Sequence, residues 1–272
     1  MKIRGERECR DCGARWSYYE TGSVACPDCE SLRSVGVDDR TAHTDSPATL
    51  DVSSHREAVS DADGRLPSES VDGLKRELRE YVRKRGFIRG GELRPLDDTY
   101  LTAQELLEAA DAFDRLIDPT DSDREYLLAL LAGVEAGDRP PAAAVPESLR
   151  EARGMAAASA VDAYRTDLLS FLDELDTAGT GASGDDESAT GSAPPVTVEG
   201  ENPAARIAPA RAALERLRDR TKRVEALHGD VDPEVADGIV DAADAIGEYV
   251  RTGTEASLAT ARARIDDSSS HS

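Results

Sequence analysis

The sequence predicts a mainly α fold: a small N-terminal β ribbon, then a helical bundle, then an antiparallel helical hairpin. Three observations predict it. All four cysteines fall within residues 9–29, in two Cys-x2-Cys pairs. From residue 71 onward apolar residues recur at spacings of three and four, the period of an amphipathic helix. Two stretches, one before that period and one within it, are polar and aperiodic and rich in Gly, Ser, Asp and Pro. The organisation that follows is a ribbon over 1–36, a flexible linker over 37–70 and a helical domain over 71–176. A low-complexity linker over 177–203, a helical hairpin over 204–266 and a disordered tail over 267–272 complete it. A chain of 272 residues suits two or three such units better than one core.

The ribbon comes first. Cys9-x2-Cys12 and Cys26-x2-Cys29 are separated by 13 residues. A two-residue gap lets one tight turn aim both sulfurs inward, and two such turns supply four thiolates in a tetrahedron. Gly13 follows the first pair, where a left-handed backbone is easiest for glycine. Pro27 stiffens the second turn. Arg15–Tyr19 is rich in strand formers, residues 20–23 form a turn, and Val24-Ala25 return as a strand into Cys26. Four anionic ligands leave no position for water or substrate, so the ion is a folding element and not a Lewis-acid catalyst. The expected cofactor is one Zn2+ held by Cys9, Cys12, Cys26 and Cys29. Iron competes, because soft thiolates accept either metal, and it would make the ribbon a rubredoxin-like electron carrier. Trp16, Tyr18 and Tyr19 have two readings. They fill the ribbon's tiny core, or they form an exposed aromatic face for bases or a partner. The first is favoured, because so short a ribbon has few other core residues.

Cys9, Cys12, Gly13, Cys26, Pro27 and Cys29 together resemble a zinc ribbon, of the kind at the N-terminus of transcription factor B and in rubredoxin-like knuckles. Glu30 departs from that pattern, which has a second glycine there. The stretch from Met1 to Asp45, and more weakly GFIRGGELRPLDDTYLTAQEL, resembles a family of haloarchaeal zinc-ribbon proteins of unassigned function. That resemblance implies a cytoplasmic zinc-binding protein and hands over no catalytic residues.

Composition points the same way. Acidic residues number 55 against 33 basic ones, a net charge of −22, and only four residues are lysine. An acidic, lysine-poor surface suits a halophilic protein in a salt-rich cytoplasm, where self-repulsion is screened. No apolar run approaches the ~20 residues of a membrane span, and no secretory signal precedes the ribbon. In a cytoplasmic chain, paired cysteines read as metal ligands before disulfides. His43 and His55, in the first linker, read as solvated loop histidines.

The helices follow in order. Val71, Leu74, Leu78 and Tyr81/Val82 share one face, and Gly86 and Gly90-Gly91 end that run. A second helix starts at Thr102, with Glu105 as its capping-box partner, and presents Leu106, Ala110, Phe113 and Ile117. Ser122 or Asp123 caps a third, carrying Tyr126, Leu127, Leu130, Leu131 and Val134 and closed by Gly137. A long Ala-rich helix spans roughly 147–176, with Leu149, Ala156, Ala160, Tyr164, Leu168 and Leu172 inward. Ile207, Ala210, Leu214, Leu217, Thr221 and Val224 form a heptad seam. Asp232-Pro233 restarts the chain, and Val235, Ile239, Ala242, Ile246 and Val250 answer that seam. A weaker apolar continuation runs from Leu258 to Ile265.

Two basic islands oppose the global charge. Residues 74–94 and 206–223 each carry a net +5. Arg76, Arg79, Arg83, Lys84, Arg85 and Arg89 are the candidate contacts for nucleic acid or a partner, since arginines beside Tyr81 and Phe87 can grip phosphates and stack on bases. Interhelical pairing explains both islands without nucleic acid. Glu234, Asp237, Asp241, Asp244 and Glu248 would flank the seam opposite Arg211, Arg218 and Arg220, and Glu108, Asp111, Asp114 and Asp118 would face the 74–89 helix. No metalloprotease, nucleophile-elbow, phosphate-loop or dinucleotide motif is present, and the four histidines are scattered. The expectation is therefore a protein that is not an enzyme. It binds a protein partner, in transcription or another nucleic-acid process, with direct nucleic-acid binding as the alternative and no membrane or small-molecule substrate.

Overall fold

A computed structural model of the chain describes residues 1–61, 68–181, 195–200 and 202–267. It is mainly α, with small antiparallel sheets near the N-terminus. Among the described residues no helix is long and apolar enough to cross a membrane.

The ribbon holds β1 (Lys2–Arg4), β2 (Glu6–Cys9), β3 (Arg15–Ser17), the single turn α1 (Tyr18–Thr21) and β4 (Ser34–Gly36). β2 is the central strand of the order β3-β2-β4, with Arg7 opposite both Trp16 and Gly36. The strand predicted at Val24-Ala25 does not form. The Ala25 N–H bonds to Ser23 Oγ at 3.1 Å, and the Cys26 N–H is taken by Ser31 O at 2.9 Å. With these donors committed to turns, the second ladder to β2, that of β4, forms only after the second cysteine pair.

The stretch predicted as a linker over 37–70 carries ordered structure in its described part. β5 (Arg40–Ala42) pairs antiparallel with β1, Lys2 opposite Ala42. Thr44 Oγ1 donates to Asp167 at 2.6 Å. α2 (Ser53–Asp61) follows, and Val52 and Val59 enter the core. Two apolar anchors seven residues apart give too little periodicity to be read as a helix. His43 and His55, expected to be solvated, are both buried, and His55 Nε2 lies 3.1 Å from Glu77 Oε2. Residues 62–67 lie outside the described residues.

α3 (Ser68–Lys84) buries Val71, Leu74, Leu78 and Tyr81 as predicted. Gly90-Gly91, read in the sequence as a helix end, turn a hairpin between β6 (Ile88–Arg89) and β7 (Glu92–Leu93). Their φ values of +62° and +85° are those of a primed two-residue turn. α4 (Asp98–Arg115) begins a turn earlier than predicted. Asp97 caps it, accepting from the Tyr100 N–H at 2.8 Å, so Thr102 and Glu105 lie buried inside the helix and form no capping box. Ile117 falls beyond its end and is 95% exposed. α5 (Asp121–Ala136) is capped by Thr120, with Asp123 closing a reciprocal capping box. α6 (Arg150–Gly181), α7 (Ile207–Ala226) and α8 (Pro233–Thr252) bury the predicted seams, except that Val235 of α8 is half-buried. The weak continuation is a full helix, α9 (Glu255–Asp267).

α4 packs against α3, α5 and α6, α6 also against α7 and α8, and α9 against α8 and α7. One apolar core thus runs from Ala42 to Ile265. The described end of the second low-complexity stretch returns to this body: Val196 is buried, and the Thr197 N–H donates to Gly91 O at 2.8 Å. Residues 182–194 and the tail 268–272 lie outside the described residues.

Candidate metal centre

The four cysteines converge. All their sulfurs lie within 4.8 Å of one another. Cys9 Sγ stands 3.7 Å from Cys29 Sγ, and Cys12 Sγ stands 3.5 Å from Cys26 Sγ. A tetrahedron with metal–sulfur bonds of ~2.3 Å has edges of ~3.8 Å. The donor set therefore fits one thiophilic metal ion.

Two turns of one design aim the sulfurs. In the first, the Gly13 N–H donates to Cys9 O at 3.1 Å and the Cys9 N–H to Ala14 O at 2.8 Å. In the second, the Glu30 N–H donates to Cys26 O and the Cys26 N–H to Ser31 O, both at 2.9 Å. Gly13 has φ +78° and Glu30 has φ +59°. Glu30 therefore holds the backbone of the missing glycine, at a cost of roughly 1 kcal/mol for its Cβ. Arg33 braces the turns through Asp11 at 2.8 Å.

Electrostatics within the cluster call for a cation. Backbone N–H groups of Cys12 and Asp11 hold the Cys9 thiol down to about 7, against burial. The Ser31 N–H lowers Cys29, but the Cys12 thiol, burial and the other two thiols outweigh it and push Cys29 up to about 12. Cys9 ionises readily while Cys12 and Cys29 resist, so four thiolates together require a positive charge among them. Cys9 and Cys26 are buried, while Cys12 and Cys29 are exposed. Trp16 closes the inner side: it is 7% exposed, clusters with Cys9 and Cys26, and donates from Nε1 to Ser23 O at 3.0 Å. Tyr19 instead reaches away from the metal. Its hydroxyl meets Thr41 Oγ1 at 2.5 Å and its ring lies 4.7 Å from that of His43.

The six basic candidates are not brought together. Arg76, Arg79 and Arg83 are exposed on α3 and form no salt bridge among the described residues. Lys84 pairs with Glu80 at 2.7 Å. Arg85 turns inward, donating to both oxygens of Asp45 at 2.9 and 3.0 Å and to Asp97 at 2.9 Å. Arg89 lies half-buried on β6. Lys75 does pair with Asp111, as helix pairing requires. The acidic face of α8, however, meets arginines other than those expected. Asp237 binds Arg139 and Arg153, Asp241 binds Arg264, and Asp244 and Glu248 bind Arg251. Arg211 pairs with Asp173 of α6.

The largest polar feature that sequence reasoning missed is a buried network. Glu105 accepts from Arg139 Nε at 2.9 Å, from Arg153 at 3.1 Å and from the Tyr126 hydroxyl. Arg153 donates in bidentate fashion to Asp237 at 3.0 and 2.7 Å. Burial, then Glu105, push the Tyr126 hydroxyl upward, so it stays a donor. The network ties α4, α5, α6 and α8 together. One signal was available: Arg153 stands four residues after Leu149 and three before Ala156, in phase with the apolar stripe of its helix.

The model of DUF7117, a family of unknown function, matches residues 1–187 and 198–265, ribbon and helices alike. No curated protein and no solved structure matches the chain.

Proposed function

The chain belongs to the DUF7117 family, and from that premise we propose that it is a non-catalytic protein-interaction module, cytoplasmic, whose ribbon is folded by one zinc ion. The sulfur tetrahedron carries this reading. Cys9, Cys12, Cys26 and Cys29 would hold the ion. Bound there, zinc supplies a cross-link and neutralises thiolate charge. Four protein ligands fill its coordination, which favours a structural role over catalysis. The metal-bearing end also offers apolar contact, because Val24 is 45% and Leu32 is 75% exposed on either side of the second cysteine pair. Exposed aliphatic side chains at a rigid tip suit a protein partner with a complementary apolar patch. The inward Trp16 weighs against base stacking there.

Elemental analysis combined with affinity purification from nuclease-treated extract tests the reading. The expected result is one zinc per chain and a protein partner that survives nuclease and is lost in Leu32→Asp, with zinc retained. A partner lost to nuclease in the parent protein would overturn it. Direct nucleic-acid binding is the second reading, and the exposed row Arg76, Arg79 and Arg83 at helical spacing favours it. Single-stranded oligonucleotide affinity that falls steeply with salt, and drops further in Arg79→Glu, would select it. A red protein with a visible absorption band would instead select bound iron and electron transfer.

A further inference from the structure

Where α7 turns into α8 the surface opens into a cavity of about 410 Å³, within the range of small-molecule pockets. Its apolar lining comes from both helices and the turn between them. Val224 and Ile239 are buried, Val231 and Val235 are half-buried, and Leu227 stands 46% exposed.

The charges around this lining are unequal in their engagement. Asp230 is bound by Arg150, which also pairs with Glu147 at 2.9 Å. Asp232 is the N-cap of α8 and accepts from the Glu234 N–H at 2.9 Å. Asp232 keeps its charge, since a backbone N–H does not neutralise it, so the lining sets Arg150, Arg220 and Arg223 against Asp230 and Asp232, a net charge of +1. Arg220 and Arg223, one turn apart on α7, line the same cavity and form no salt bridge among the described residues. The uncompensated charge at this apolar cavity is thus positive, in a chain whose net charge is −22. Simple helix solvation accounts for arginines on an open face, but not for a concave apolar floor beside them.

We propose that this cavity binds a small amphiphilic anion: an aliphatic or aryl body of roughly eight carbons against Leu227, Val231 and Val235, above the buried Val224 and Ile239, bearing one carboxylate held by Arg220 and Arg223. The site is remote in sequence from the cysteine ribbon and independent of the metal. It requires no reaction, only recognition of an apolar group and a single negative charge at fixed separation.

Octanoate is the probe, titrated into the full zinc-loaded chain and followed by backbone amide NMR at one fixed ionic strength. Saturable shifts confined to residues 220–239 and to the neighbourhood of Arg150, which also lines the cavity, are expected. Octan-1-ol, which lacks the charge, and acetate, which lacks the body, should each bind at least about tenfold more weakly. Arg220→Gln with Arg223→Gln should weaken octanoate by at least about tenfold while leaving the helical circular dichroism unchanged. Val235→Glu, which sets a carboxylate against the apolar body, should abolish the shifts and serves as a second variant on a half-buried residue. The proposal falls if octanoate gives no saturable shifts, if octan-1-ol binds as well as octanoate, or if the arginine variant binds octanoate as the parent does.

Discussion

In the ribbon the buried apolar set is Cys9, Trp16 and Cys26, with Ala14 packed against it, whereas in the helical body it runs without a break from Ala42 to Ile265. Three side chains cannot offset the conformational entropy of some 36 ordered residues, so sulfur–metal bonds must supply the difference. The body needs no such help. Alternating Leu, Ala and Val close its helices on one another, and a buried cluster around Glu105 fixes how they sit. Among the described residues the two regions are joined by the short ladder of β1 with β5, by the Lys2–Glu174 ion pair and by the Tyr19 hydroxyl on Thr41. On the proposed reading, the contrast is between a region whose folding is conditional on an ion and one whose folding is conditional only on its own packing.

The largest expected effect breaks the ribbon alone. A structural zinc site contributes on the order of 10 kcal/mol to the folding of its domain. Chelation, or Cys26→Ser, should therefore unfold the ribbon while helical circular dichroism changes little. The chain has one tryptophan, and it sits in the ribbon core, so Trp16 emission reads this region without interference. A red shift of Trp16 at constant helix content is the expected result. Helix loss at the same chelator concentration would refute the division.

The next effect breaks the body alone. Glu105 is fully buried between Arg139 and Arg153, and removing one partner of such a cluster leaves uncompensated buried charge. Glu105→Ala should cost about 3–5 kcal/mol, read as a lower denaturant midpoint of the helical signal, with native Trp16 emission unchanged. A loss below about 1 kcal/mol would mean that the arginines find solvent and that the cluster is not structural.

The same contrast governs what could be read from the sequence. The convergence of the four cysteines was legible, because four identical side chains at short local spacing meet through two turns and need no distant chain. The seams of α7 and α8 were legible for a related reason: five apolar residues in phase on each helix leave one solution. Glu105 was misread as a capping-box residue because Thr102-x2-Glu105 satisfies a local pattern that Asp97 had already pre-empted five residues earlier. The pairing of Arg153 with Asp237 joins residues 84 apart, and no local pattern specifies such a partner. Val24-Ala25 had strand composition, yet turn bonds to Ser23 and Ser31 took their neighbourhood out of the ladder. Local chemistry was readable, and choices settled by tertiary competition were not.

A smaller effect tests the seam between the regions. His43 is buried, and among the described residues neither of its ring nitrogens has a hydrogen-bond partner. Burial lowers its affinity for a proton; Asp45 opposes this, while Arg89 and the chain's amino terminus add to it. Its folded value therefore lies below the unfolded value of about 6.5. For a base depressed in this way the unfolded chain binds more protons. The contribution to stability is thus fully present above about pH 6.5 and is lost as pH falls through that value toward the lowered one. Denaturant midpoints of the parent should drop between pH 7.5 and pH 5 by more than those of His43→Leu. Identical pH profiles would show that the histidine is solvated in practice.

The smallest effect sharpens the comparison within the ribbon itself, where two near-identical turns differ at one residue. Gly13 and Glu30 share a left-handed backbone, but only Glu30 carries a Cβ against it. Glu30→Gly should stabilise the ribbon by somewhat under 1 kcal/mol, because relief of that strain outweighs the added freedom of the unfolded chain. Gly13→Ala should move it the other way by about 1 kcal/mol, and through the backbone alone, since a Cβ there meets nothing within 4 Å. Both are read from the chelator concentration at which Trp16 emission shifts, which rises for the first variant and falls for the second. If Glu30→Gly instead releases the metal more easily, the glutamate side chain is contributing a contact worth more than its strain, and the two turns are not equivalent after all.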